Sequence, residues 1–166
     1  VSTLGGAPVP IDAIDVCTPS PVHASYAIDA LQHGKHVFCE TPVAFTLTDA
    51  QRMAEATHAS DKLLLVALFS RFMSDYKYIH DYVHAGHLGR PRTLFLNRRT
   101  APVWGQWDEH FILNLMLHDV DYAYWLLGKP QAVTGRALGS KEQGWPYVCI
   151  ALEYEDIQAT VEGCGI

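Results

Sequence analysis

Three polar residues in the stretch NLMLHDVDYAYWLLG are spaced for one side of a helix: Asn114 and His118 lie four residues apart and Asp121 three further on. An imidazole titrating near neutral pH can take or give a proton, and a polar neighbour one turn away can orient it. His118 is therefore the candidate acid/base, Asn114 its orienting neighbour, and Asp121 either a substrate-side group or a structural partner within the helix. The chain has nine histidines, and spacing alone leaves a surface or satisfied core histidine as the alternative. A second group lies in HVFCETPVAF, where four strand-like residues run directly into Glu40, Thr41 and Pro42. Similar polar, turn-forming endings follow two other apolar runs, as Thr18-Pro19-Ser20-Pro21 and as Phe69-Ser70-Arg71.

These endings acquire meaning from the elements that carry them. From Ile11 onward, strand-like and helix-like segments alternate, the pattern of a parallel sheet with crossover helices. IDAIDVC reads as the first strand. The helix after it has Ser20 as N-cap, Pro21 at its first position and Gly34 at its end, with Val22, Tyr26, Ala30 and Leu31 on one face. HVFC is a second, parallel strand. Thr48 and Gln51 have capping-box spacing for a helix through about Ser60, and KLLLVALF is the third strand, almost wholly apolar as a covered parallel strand is. Ligands of open parallel sheets bind beyond the carboxyl ends of the strands, so the three polar endings are expected on one rim.

Beyond the next helix, read in RFMSDYKYIHDYVHAGHLGRP, the character changes. RTLFLNRR alternates as an antiparallel strand with one wet face, a long helix is predicted from about Asp108 to Leu127, and AVTGRAL, YVCIALEY and IQATVEGC follow as strands, the last two joined at Glu155-Asp156. The expected fold class is α/β followed by α+β, with a first domain over residues 1–90 and a second over residues 91–166. Trp104, Trp107 and Phe111 lead into the long helix. Trp104 is a candidate for stacking on a sugar face, although aromatic packing accounts for such residues equally well. Arg98 and Arg99 belong either on the wet face of the sheet or at a subunit contact, with contact to an anion as a further possibility.

Composition excludes several classes. With 49% hydrophobic and 18% charged residues among 166, the chain has the balance of a globular protein with one or two cores. A net charge of -6 without a Lys/Arg cluster gives no footprint for nucleic acid or anionic lipid. No apolar run approaches the roughly 20 residues of a membrane span, so a cytoplasmic location is expected. Cys17, Cys39, Cys149 and Cys164 lack CxxC spacing and read as buried free thiols rather than a zinc site or a disulfide frame, and no metal site is expected.

The segments IDAIDVCTPSPVHASYAIDALQHGKHVFCETP, LGRP and HDVDYAYWLLGKP together resemble the Gfo/Idh/MocA family, the glucose-fructose oxidoreductase and inositol dehydrogenase group. The resemblance implies half of a Rossmann domain followed by part of an α+β domain with an open antiparallel sheet. It implies NAD or NADP as cofactor, hydride transfer to or from a sugar, a polyol or a related hydroxy or keto compound, and a homo-oligomer formed through the open sheet. Carried over residue by residue, it puts Glu40 and Pro42 at the nicotinamide ribose, Cys17, Thr18, Pro19 and His23 along the cofactor loop, His118 at the proton-transfer position and Arg71 near the substrate.

Two departures accompany these matches. Thr41 stands where the family has a lysine near the substrate hydroxyl, so a hydrogen-bond donor replaces a cation. Asn114 stands where an aspartate is common, and it can orient His118 without stabilising an imidazolium as a carboxylate does. No GxGxxG occurs in the chain, so the expected pyrophosphate cradle is lacking, as are the first two βα units. The expectation is a longer polypeptide; the alternative is a short homologue that completes its sheet with another chain. For function, an NAD(P)-dependent dehydrogenase is the leading reading, and a catalytically degenerate binding or regulatory protein on the same scaffold is the alternative.

Overall fold

A computed structural model describes residues 10–100, 112–140 and 144–165, and the chain divides into two compact units, Val1–Ala67 and Leu68–Ile166. The division falls before the boundary expected after residue 90. Its cause is the helix Ser74–His84, whose Tyr76 meets Tyr122 edge to face at 4.7 Å and whose His80 stacks on Trp125 at 3.8 Å, both partners belonging to the second unit.

The first unit is a parallel sheet, β1 (Ala13–Val16), β2 (His36–Cys39) and β3 (Leu64–Val66), in that spatial order. Val16 pairs with Cys39, and Cys39 with Val66, so all three strands run toward the same rim. The connecting helices are α1 (His23–Gln32) and α2 (Leu47–Ser60). Pro19 and Pro21 fix their own φ angles, and Ser20–Val22 forms a tight 3-10 turn before α1 begins one residue later. The buried face of α1 is accordingly His23, Ala24, Ala27, Ala30 and Leu31, while Val22 and Tyr26, expected inside, face out. For α2 the cap is Thr46, whose Oγ1 accepts from the Asp49 backbone N–H at 3.0 Å, two residues ahead of the expected Thr48. Val16, Leu31, Val37, Cys39 and Met53 form the core between helices and sheet.

In the second unit, β4 (Thr93–Thr100), β5 (Ala132–Ser140), β6 (Gly144–Glu153) and β7 (Gln158–Gly165) lie in the order β4-β7-β6-β5. The β5-β6-β7 meander is antiparallel as expected, with Tyr154 and Ile157 closing the turn at Glu155-Asp156. By contrast, β4 pairs with β7 in parallel, so the sheet is mixed rather than antiparallel. Alternation along RTLFLNRR reports one wet face and says nothing of strand direction. Helix α3 is Ser74–His84. The long helix continues from a π-helical turn, Ile112–Met116, into α4 (Leu117–Leu127). Met116 and Ala123 pack on Leu94, Leu96, Val148, Leu152, Ala159 and Val161 of the sheet's inner face. Among the described residues no helix is long and apolar enough to cross a membrane.

Candidate active site

Each unit carries its own share of the candidate residues. In the first, the polar endings leave the carboxyl ends of β1 and β2, where a parallel sheet presents its loops to ligands. Cys17, Thr18 and Pro19 are exposed after β1; Glu40 is exposed after β2, and Thr41 is half-buried. The Thr41 backbone N–H donates to Glu40 Oε2 at 3.2 Å, which folds the carboxylate back over its own turn. Pro42 follows a cis peptide bond and is fully buried. His23 lies beneath both loops at 1% exposure, with Nε2 2.7 Å from the Thr18 carbonyl oxygen and Nδ1 2.9 Å from that of Pro42. Its ring is thus bound between loops rather than presented on the rim where sequence matching put it.

Of the four thiols expected to be buried, only Cys39 is; Cys17 is exposed at the end of β1, where the chain turns into a loop, and Cys149 and Cys164 are half-buried. Cys17 Sγ donates to Asp15 Oδ1 at 3.1 Å, and this bond holds the thiol above its ordinary range. Burial, reinforced by the charges of Glu40 and Asp15, pushes Cys39 up to about 11.

In the second unit His118 occupies the second position of α4, 7% exposed, with its ring 4.4 Å from that of Phe69. Asn114 lies half-buried in the preceding π-helical turn. The wider winding of that turn means that four residues no longer return the side chain to one line, so the simple i, i+4 relation holds only across a change of helix type. Asp121 accepts two hydrogen bonds from Arg71, one from Nε at 2.8 Å and one from Nη2, so these two substrate-side candidates are brought together and engage each other. Asp121 raises the Arg71 guanidinium further above its ordinary range. Trp104, Trp107 and Phe111 lie outside the described residues.

Sequence reasoning missed Asp119. It is buried beside His118 and accepts from Arg98 Nε at 2.7 Å and Nη2 at 2.8 Å, a bidentate pair from α4 to the inner face of β4. Alternation within β4 held the available signal, because it puts Arg98 on the face of Leu94 and Leu96 and so calls for an acidic partner.

The residues of the first unit fit one side of a dinucleotide. An exposed carboxylate next to exposed and half-buried hydroxyls suits the paired hydroxyls of a ribose, and the rim has the right place in the sheet. A pyrophosphate needs a glycine-rich turn at a helix N-terminus, and among the described residues α1 and α2 follow Pro-rich and threonine-capped turns instead.

Residues 3–68 match the Gfo/Idh/MocA family model, an oxidoreductase family with an NAD-binding Rossmann fold. Myo-inositol 2-dehydrogenase of Thermotoga maritima is 31% identical over 123 residues, covering 72% of this chain and 37% of that protein. Among solved structures, myo-inositol 2-dehydrogenase from Lactobacillus plantarum superposes with a TM-score of 0.83 at 20% identity, over 95% of this chain and 52% of that one. An Agrobacterium radiobacter oxidoreductase in complex with NAD+, L-tartaric acid and magnesium gives 0.82 at 22% identity, over 91% and 47%. At these identities the structural likeness concerns the fold, and the chain spans about half the length or less of each protein it matches. On the family match, the relatives and the shared fold together, the chain belongs to the Gfo/Idh/MocA oxidoreductase family.

Proposed function

We propose that this chain forms part of an NAD(P)-dependent dehydrogenase acting on a sugar or polyol, with myo-inositol, named in the Thermotoga maritima relative, as the first candidate substrate. The observation that carries the reading is His118: a histidine 7% exposed at the start of α4, with Phe69 against its ring. The bound nicotinamide supplies the hydride acceptor or donor. The chain's own residues do the rest. Glu40 and Thr18 bind the ribose side with Thr41 as a hydrogen-bond donor beside them, and in the second unit His118 takes a substrate hydroxyl's proton in oxidation and returns it in reduction. Asn114 orients His118. The Asp121 pair holds Arg71 in place at the substrate side. A homo-oligomer through the outer face of the mixed sheet and a cytoplasmic location belong to the same proposal. The first is supported by Phe95, 62% exposed on β4, and the second by four free cysteines.

The test is NAD and NADP reduction by myo-inositol and a panel of sugars and polyols, with His118→Ala beside the native protein. Turnover in the variant is expected to fall by about 10²–10⁴ while its NADH affinity stays within about twofold. Equal turnover in the variant removes His118 from the chemistry. Saturable NADH binding without reduction by any substrate supports the degenerate binding protein instead.

A further inference from the structure

The 3-10 turn Phe69–Phe72 has little of its own to hold it in place. It is four residues long, it ends on a hydrogen bond from the Met73 N–H to the Ser70 carbonyl oxygen at 3.3 Å, and of its side chains only Ser70 is buried. Two contacts nevertheless join it to one side of α4. The Phe69 ring lies 4.4 Å from that of His118, tilted by 45°, and one helical turn further on Asp121 accepts from Arg71 Nε at 2.8 Å and from Nη2. Residues two apart on the turn thus meet residues three apart on the helix, and the turn is held at two points. The two contacts differ in strength. Phe69 is 50% exposed, so its packing on the imidazole contributes little alone, whereas a forked guanidinium–carboxylate pair on a nearly buried aspartate fixes both distance and direction.

We infer that Asp121 is a positioning residue for His118: through Arg71 it seats Phe69 against the imidazole, and the seat fixes the plane in which that ring meets a substrate hydroxyl. Other anchors do not do this. Tyr76 on Tyr122 and His80 on Trp125 join α3 to α4, but they come after the turn in the chain and involve neither Phe69 nor His118. Asn114 lies across the change from π-helical to α-helical winding, so the ring calls for an orienting contact beyond it. Sequence separation explains why the seat is built from an ion pair: Arg71 and Asp121 are 50 residues apart, and no strand pairing involves either. A proton-transfer group displaced by about 1 Å can lose about a hundredfold in rate, so a loose seat is felt in turnover. That consequence rests on the role of His118 proposed above; the seat itself does not.

The experiment reads the His118 ring directly, by proton–carbon NMR of the protein labelled with 13C-histidine, the ring C–H signals being assigned by their loss in His118→Ala. Phe69→Leu removes the aromatic ring current and keeps an apolar side chain, so it marks where those signals lie without the seat. Asp121→Asn and Arg71→Lys are expected to move them most of the way to that position, since each breaks the fork without altering either ring. Signals that keep their native position overturn the seat, and Arg71→Lys, which retains the cation, decides the point if Asp121→Asn does not fold. Turnover of myo-inositol with NAD or NADP tests the consequence. Phe69→Leu and Asp121→Asn are each expected to lower kcat about tenfold, and the double variant to lower it by about the same tenfold, because both remove one seat. Losses that multiply to about a hundredfold, or single variants with native kcat, overturn the positioning role. A native protein that reduces neither cofactor with any polyol overturns the proposed dehydrogenase, and the NMR signals then still decide whether Asp121 seats the ring.

Discussion

Cys17 and Cys39 sit at the ends of neighbouring strands and are both held protonated, for different reasons. An exposed thiol at a loop is ordinarily the first in a chain to be alkylated. Cys17 is exposed, yet its S–H donates to the Asp15 carboxylate, which favours the neutral thiol. Asp15→Asn removes that carboxylate, lowers the thiol's pKa and raises the thiolate fraction at any given pH. Iodoacetamide at mildly alkaline pH should therefore modify Cys17 about three- to tenfold faster in the variant, while Cys39, buried and pushed up to about 11, stays unmodified in both. Equal rates would show that the hydrogen bond does not control the thiol. Residue types and local spacing made Glu40, Thr41, Arg71 and His118 legible as candidates. The partners were not legible, because Arg71–Asp121 and Arg98–Asp119 join residues 50 and 21 positions apart. His23 shows the same limit: a histidine after Thr-Pro reads as a loop contact until the carbonyl of Pro42 appears across its ring.

At the scale of elements, the joint between α4 and the mixed sheet places His118, because α4 must lie on the sheet for its second residue to be where it is. Met116, from the π-helical turn, and Ala123 lie in the apolar core of that joint, and the Arg98–Asp119 pair ties α4 to β4. Asp119 is nearly buried and Arg98 about a third exposed, which reduces the desolvation at stake. Asp119→Asn should lower stability by roughly 2 kcal/mol, read as a lower urea midpoint with unchanged slope, and the double variant Asp119→Leu with Arg98→Met should recover most of it. An unchanged midpoint in the single variant would mean that the pair is dispensable. Alternation of strands and helices was readable from Ile11 to Val66 because parallel strands and amphipathic helices have distinct periods. The parallel pairing of β4 was not, since periodicity is the same for either direction, and the π-helical turn was hidden because its residues continue an ordinary helical pattern.

For the whole molecule, the outer face of the mixed sheet is the surface that must be accounted for. Register places Phe95, Thr160, Ala151 and Thr134 in one row across all four strands, on the side opposite the core. Neighbouring rows join Asn97 to Glu162 at 2.7 Å and Tyr147 to Glu162 at 3.3 Å, so the face mixes apolar side chains with satisfied polar ones. Such a mixture suits a standard interface of about 800 Å² per partner, with aromatic anchors inside a polar rim, better than a permanently wetted surface. The division at Ala67 bears on the same point. Sequence composition changed character near Arg92, but the contacts of Tyr76 and His80 tie α3 to the unit that owns this sheet, and such long-range packing leaves no mark on local composition. Sedimentation velocity at tens of micromolar should therefore find the native protein as a homodimer or larger. Phe95→Glu, which sets a charge in the central row without touching either candidate site, should weaken self-association about a hundredfold or more while NADH affinity is retained. A native monomer at that concentration, or an assembly indifferent to Phe95→Glu, would mean that this face is not where the copies meet.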